Sequence, residues 1–361
     1  MGPYRPRAGP RRLNVTGAVE ILQASDADRR AWTDYVEGAE GATLFHDWRW
    51  GGTISEAYGY EPLYLAARRS GRVVGVLPLI DVRSALFGRS LISTAFSIGG
   101  GALADDAAAL NALGARAIEI GRERRVNYVE LRGGARPSPD WRQKTGLYAA
   151  FSKELPRAAD DIPLWLPKNR RAEVKKAKRL ESDCRLRLDG TPEEFHRLYA
   201  AAVRALGTPV FSVKFIRRLT DNFGRDAEIA IVERAGRPIA TLLSFWRGER
   251  VMPYYIGGTP EARGLRAYDY LYYSVMRRAV ERGARVFDFG RSKIGSSHYT
   301  TKTYWGFEPQ PLTYHVALVC AKALPNVSPT NPKFAAFSAA WKRLPPAIAD
   351  RAGPLLARHL A

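Results

Sequence analysis

Cysteine is nearly absent from this chain: two in 361 residues, Cys184 and Cys320, with no CxxC spacing. That argues against a disulfide framework or a zinc–thiolate site and suits a reducing compartment. Histidine is scarce too, five residues with no HxxxH or HExxH pair, so no metal site is expected. No run approaches the roughly 18 apolar residues of a membrane span. The opening MGPYRPRAGPRRLNV has charge but no apolar core. Residues 1–14 therefore read as a disordered basic arm, not a secretory signal, and a cytoplasmic protein is expected. There is no GxSxG elbow and no Cys–His pair, so a covalent intermediate on serine or cysteine is not expected. Acidic residues are outnumbered, 36 against 56 Lys+Arg, for a formal charge of +20. The excess favours polyanionic partners such as tRNA, nucleotide-linked substrates or acidic headgroups, and identifies none of them.

Apolar residues are plentiful. They make up 46% of the chain, and 17 Tyr, 14 Phe and 8 Trp are spread along it. The length allows two domains, each with its own core. A weak internal repeat organises them. Gly71–Leu79 and Gly236–Ser244 each open a strand from a Gly-Arg turn. Ile98-Gly99-Gly100 and Ile256-Gly257-Gly258 follow, then an amphipathic helix and a strand, 126–131 in one half and 284–289 in the other. Gly99 to Leu131 and Gly257 to Phe289 are the same 32 residues apart. Length differences confined to a loop, with the later spacing held, are what duplication of one fold predicts.

Local patterns give the elements. Val19–Leu22 opens the first half, and Ser25 or Asp26 caps a helix running to Glu40. Residues 61–67 and 72–82 alternate as a hairpin around Ser70-Gly71. A helix over 106–122 buries Leu110, Leu113, Ala117 and Ile120. In the second half, Thr191-Pro192-Glu193-Glu194 is a capping box with proline at the first helical position. Strands are expected at 228–234, 238–246 and 250–256, and a helix at 267–282. The expected fold is α/β with mixed sheets (α+β character): a first domain at 15–155, a second at 156–324 carrying a basic helix at 166–181, and a helical tail at 325–361.

Further residues carry a resemblance: Leu206-Gly207-Thr208-Pro209-Val210-Phe211-Ser212, Pro253-Tyr254-Tyr255, Val286 to Lys293, and Tyr299 to Pro311 with its Lys-x-x-Trp-Gly-Phe core. Asn331–Phe334 and Trp341–Pro345 also fit. These segments resemble the FemAB family, in particular the FemAB-related proteins found with exosortase/PEP-CTERM and exopolysaccharide systems. The resemblance implies two tandem GNAT-like acyltransferase domains and transfer of an acyl or aminoacyl group to an amine. Better-known relatives take the group from aminoacyl-tRNA, with no tightly bound cofactor. An envelope or exopolysaccharide precursor is the implied acceptor. An acyl-CoA-dependent N-acyltransferase and a non-catalytic basic scaffold at the membrane remain as alternatives.

Acyl transfer needs a positioned amine and a stabiliser for the developing oxyanion. Lys302 is the first candidate, since its context resembles the relatives' Phe-Lys-x-x-Phe-Gly motif, whose lysine neutralises negative charge. Here Thr301 stands in place of the phenylalanine. Asp288 is a candidate to orient the amine or accept its proton, with an Asp–Arg pair fixing the loop as the competing reading. Tyr299 completes the catalytic set. Arg291 and Lys293 are candidates for a phosphate or carboxylate, and Tyr254, Tyr255 and Trp305 for the groove wall. Arg263 occupies the place of a pyrophosphate loop in acetyltransferases, but Gly264 follows it directly, which departs from the usual spacing and disfavours coenzyme A. The tail from Lys333 mixes aromatic, apolar and basic residues, which leaves contact with the inner face of a membrane open.

Overall fold

The computed structural model describes residues 17–85, 87–323 and 332–359. The basic arm and the expected start of the tail at 325 lie outside the described residues. The strands in chain order are β1 (Glu20–Ala24), β2 (Glu61–Arg69), β3 (Arg72–Ser84), β4 (Gly88–Ile92), β5 (Leu103–Ala104), β6 (Tyr128–Arg132), β7 (Arg142–Glu154), β8 (Cys184–Arg187), β9 (Ala227–Arg234), β10 (Arg237–Arg247), β11 (Arg250–Gly258), β12 (Val286–Lys293) and β13 (Gln310–Leu318). The helices are α1 (Arg29–Gly38), α2 (Trp48–Tyr58), α3 (Ala107–Glu123), α4 (Ile162–Trp165), α5 (Lys168–Ala177), α6 (Pro192–Ala205), α7 (Val213–Phe223), α8 (Pro260–Gly264), α9 (Ala267–Glu281), α10 (Ser297–Tyr304), α11 (Pro332–Lys342) and α12 (Pro346–Ala357). This is a mixed α/β protein. No helix among the described residues is long and apolar enough to cross a membrane.

The chain divides into two compact units. The first runs to Thr145 and takes in the segment beginning at Thr313; the second runs from Gly146 to Leu312 and takes in the C-terminal helices to Arg358. In the first unit the strand order is β1-β2-β3-β4-β6-β13. Every neighbour is antiparallel except β4 and β6. Helix α3 makes the crossover before β6; Asp106 caps it by accepting the Ala109 N–H, and it buries Ala109, Leu113, Ala117 and Ile120. Each such side chain, once covered, contributes about 1–3 kcal/mol. Charge is buried here as well. Asp81 has no exposed surface and accepts from Arg89 and Arg124, with Arg83 nearby.

In the second unit the order is β8-β9-β10-β11-β12-β7. Again one neighbouring pair, β11 and β12, is parallel, and the others are antiparallel. Helix α6 starts on the Thr191 capping box, formed in both directions. Helix α9 makes the crossover and buries Tyr270, Leu271, Tyr273, Val275, Met276 and Ala279. The core joins α5 and α9 to the sheet through Phe151, Val174, Leu242, Phe287, Phe289, Trp305 and Phe307.

The two units thus list their strands in the same order with the parallel step in the same place. The expected junction at 155/156 misses one feature. Strand β7, which follows β6 in the chain, belongs to the second unit, while β13, which follows β12, pairs with β6 in the first. Partner choice for a strand is a long-range matter, and nothing local in 142–154 encodes it. The expected basic helix at 166–181 is α5 followed by a 3₁₀ turn at Lys178–Ser182, and the expected tail folds as α11 and α12 within the second unit.

Candidate active site

The site grows from the step where β11 and β12 part. Their pairing consists of two positions, Arg250↔Val286 and Val251↔Phe287. On its other edge β12 stays paired with β7 as far as Lys293↔Tyr148, with a bulge between Asp288 and Gly290. The bulge has a chemical cause. Gly290 takes φ +63°, a region glycine enters freely, and its N–H donates to Asp288 Oδ1 at 2.8 Å. Ile294 N donates to Leu147 O on β7. By the alternation of an antiparallel ladder, the carbonyls of Phe289 and Arg291 therefore point away from β7, toward the side of β11.

Those two carbonyls receive Lys302. The residue lies in the last turn of α10, where a cation complements the helix dipole. Ser296 caps the other end by accepting the Tyr299 N–H. Lys302 Nζ donates to Phe289 O at 2.6 Å and to Arg291 O at 2.9 Å, and stands 5.4 Å from the centre of the Phe151 ring. Burial pushes the ammonium down to about 7; Asp288 pulls it up and Arg291 pushes it further down. An ammonium has three donors, so two are engaged by backbone and one is left for a ligand oxygen. Tyr299, three residues earlier on the same helix, packs its ring edge-on to Phe151 at 5.3 Å.

Asp288 is held on both oxygens, by Gly290 N–H and by Arg250 Nη1 at 3.1 Å. Burial raises its carboxyl above the ordinary value, opposed by Arg250, the Gly290 N–H and Lys302. A carboxylate so engaged ties the bulge of β12 to Arg250 at the start of β11. Arg291 lies over the Tyr148 ring at 4.2 Å. Half-buried Lys293, two residues on, shares its face of β12 opposite Tyr148 in the register.

Other expected groove residues are placed elsewhere. Trp305 has no exposed surface; it packs on Tyr272 and Phe289 with the Arg170 guanidinium 4.9 Å above its ring. It packs as a wall of the core. Tyr255 is buried among Tyr199 and Phe211, and Tyr254 packs on Tyr255 and Phe245. Arg263 is exposed on α8. The place where it was expected to help hold phosphate, the N-terminus of α9, is occupied. Arg170 pairs with Asp269 there at 2.7 Å, and Arg266, in a left-handed conformation at φ +61°, pairs with Glu173. Thr301 is exposed, its hydroxyl bonded back to Ser297 O.

Sequence reasoning missed Phe151, Arg250, Arg170 and the two carbonyls. Phe151 and the carbonyls required knowledge of the β7 pairing. Arg250 carried a faint signal, as a lone arginine at the start of a strand otherwise apolar.

The acetyltransferase (GNAT) domain family matches residues 168–301, from the first residue of α5 to the residue before Lys302. No curated protein matches the chain. A solved structure of FemX superposes with a TM-score of 0.63 at 15% identity, covering 83% of this chain and 98% of that one. A tandem GNAT protein from the clavulanic acid biosynthesis pathway gives 0.54 at 16%, covering 83% and 98%. L-PGS from Bacillus licheniformis gives 0.52 at 13%, covering 89% and 98%. The fold is that of the GNAT/FemAB-related acetyltransferases. At such identities the likeness concerns architecture, and the chemistry must be argued from the site.

The second unit holds the parted β11–β12 pair, the Lys302 ammonium and, on β12, Arg291 and Lys293. Among the described residues no group of His, Cys, Asp and Glu could hold a metal. The arrangement can place a cation against an oxygen that gains charge, and can attract an anionic leaving group.

Proposed function

We propose that the chain is an acyltransferase that moves an activated aminoacyl or acyl group onto an amine, with Lys302 as the oxyanion-stabilising catalytic residue. One observation carries this reading: a half-buried lysine held by two backbone carbonyls beside the opening of β11 and β12. The donor carbonyl sits in that opening, and the free N–H of Lys302 meets its oxygen as the tetrahedral intermediate forms. Arg291 and Lys293 hold the anionic part of a substrate, and Tyr299 shapes the wall beside Phe151. The incoming amine replaces the donor's oxygen or sulfur, which leaves with the proton.

The donor is aminoacyl-tRNA rather than acyl-CoA. Asp269 and Glu173 put carboxylates at the N-terminus of α9, where a coenzyme pyrophosphate would need uncompensated N–H groups. The acceptor is an amine of an envelope or exopolysaccharide precursor, met in the cytoplasm at the inner face of the membrane. The two units descend from duplication of one GNAT-like domain; their shared strand order supports this. The test offers purified protein charged tRNA or acetyl-CoA, together with amine-bearing envelope precursors, and reads products by mass spectrometry. Wild type is expected to transfer from charged tRNA, and Lys302→Met to be slower by about 10²–10³-fold. Full activity of Lys302→Met, or transfer from acetyl-CoA alone, overturns the assignment.

A further inference from the structure

Many cations of this chain are paired where they stand. Arg187 is shared by Asp189, Glu194 and Glu233. Arg124 joins Glu61 and Asp81, and Arg278 and Arg282 both lie on Glu228. Helix α5 is paired on one side and bare on the other. Its inner face buries Val174 and Ala177 and is continued by Leu180. Arg170 and Glu173, also turned inward, tie it to Asp269 and Arg266 of the α9 start. Outward on α5, at spacings of four and three, come Lys168, Ala172 and Lys175, and Arg179 follows in the 3₁₀ turn after it, all exposed. Residues so spaced share one stripe of a helix. Among the described residues, Lys168, Lys175 and Arg179 have no carboxylate within salt-bridge distance. Lys176, beside the stripe, has Glu173 at 3.2 Å.

The stripe starts close to the chemistry. Arg170, half a turn after Lys168, lies over Trp305, and Trp305 donates its backbone N–H to Lys302 O. From Lys168 to Lys175 the helix rises about 10 Å, and to Arg179 about 6 Å more. A row of uncompensated cations leading away from an acyl-transfer site suits a donor whose reactive end is followed by a chain of phosphates. A membrane surface suits it less. An interfacial helix puts an apolar face into the lipid, whereas the apolar face of α5 is already covered by protein core.

We propose that the outer face of α5 and the 3₁₀ turn after it, through Lys168, Lys175 and Arg179, is the docking surface for the sugar–phosphate backbone of an RNA whose 3′ end reaches Lys302. This rests on the RNA-donor reading above and adds the surface that holds the donor. The contacts are to phosphates, so they bind without reading sequence.

The probe is an uncharged synthetic RNA hairpin with a single-stranded CCA 3′ end and a fluorophore on its loop, titrated with full-length protein by anisotropy at several salt concentrations. Three proteins are compared: wild type, the triple reversal Lys168→Glu, Lys175→Glu, Arg179→Glu, and a control reversal Arg72→Glu, Arg225→Glu, Arg237→Glu. The control residues are exposed and lie outside α5, and both triples change net charge equally. The α5 triple is expected to weaken binding about tenfold or more and to flatten the slope of log K on log salt by about 2; the control keeps most of the affinity. Thermal melts confirm that both variants fold, and an unfolded α5 triple is replaced by single reversals of Lys175 and Arg179. If both triples lose affinity alike, the binding is diffuse charge and the surface is wrong, while the RNA-donor reading stands. If wild type ignores the hairpin and acetyl-CoA raises its melting temperature, the donor reading fails and this surface fails with it. Binding to vesicles of anionic lipid that depends on α5, with none to RNA, overturns the RNA assignment in favour of a membrane.

Discussion

Lys302 should titrate about three pH units below an ordinary lysine, and this can be measured without knowing any substrate. Its ammonium is half-buried, faces Arg291 and rests on Phe151, with only the Asp288 carboxylate pulling the other way, so its pKa falls to about 7. An ordinary lysine titrates near 10.4. At pH about 8 the neutral amine is then ~90% of Lys302 and ~0.4% of a surface lysine, an excess of about 200-fold. Trace labelling with acetic anhydride, followed by peptide mass spectrometry, reads each lysine's neutral fraction across pH. The Lys302 labelling curve should have its midpoint near 7. Asp288→Asn removes the carboxylate that favours the charged form, so the Lys302 midpoint should move lower still. The stability sign follows. Between about 7 and 10 the unfolded chain holds a proton at this position that the folded one does not, so Lys302 adds stability as pH rises through that window. Below about 7 the cost of the buried charge is full, and Lys302→Met lacks the whole dependence. A Lys302 curve that tracks the surface lysines would refute the reasoning, because the burial and the carbonyl cradle would then not be as described.

Two further predictions concern buried charge. Burial pushes Asp81 up, but the hydrogen bonds and charges of Arg89, Arg124 and Arg83 outweigh it and hold the carboxyl below its ordinary value. Its stabilisation is therefore present above the ordinary carboxylate pKa and lost as pH falls through the lowered one. Asp81→Asn, which leaves these guanidiniums without their buried counter-charge, should cost about 3–5 kcal/mol in urea unfolding at neutral pH; a loss under about 1 kcal/mol would contradict the network. Arg170→Ala should cost about 3 kcal/mol by stranding Asp269, whose carboxyl burial already raises, and should shift Trp fluorescence as Trp305 loses its cation. Arg170→Lys restores charge but not planar stacking and should recover only part; full recovery would show that the ring contact contributes nothing.

The amino-acid sequence alone determined the local elements. The Thr191 box starts α6 where its spacing says, Asp106 caps α3, and the Gly-Arg turns at Gly71 and Gly236 open β3 and β10. Each is set by neighbours within a few residues, through capping, φ preference and period. It also singled out Lys302 and Asp288, because both sit in short segments with a recognisable composition. It could not decide which way Trp305 or Tyr255 points, because aromatic residues serve a groove and a core equally well and only packing separates the two uses. Nor could it show that Asp288 holds Gly290 and Arg250 instead of a substrate amine. Strand exchange lies furthest from local reach: 142–154 and 310–318 are apolar enough for any sheet, and their partners are more than a hundred residues away. The Lys302 cradle depends on that pairing, since β7 engages one edge of β12 and so turns the carbonyls of Phe289 and Arg291 to the other. Tertiary structure alone made Lys302 a half-buried amine with a pKa of about 7, which has one N–H left to give when it is charged.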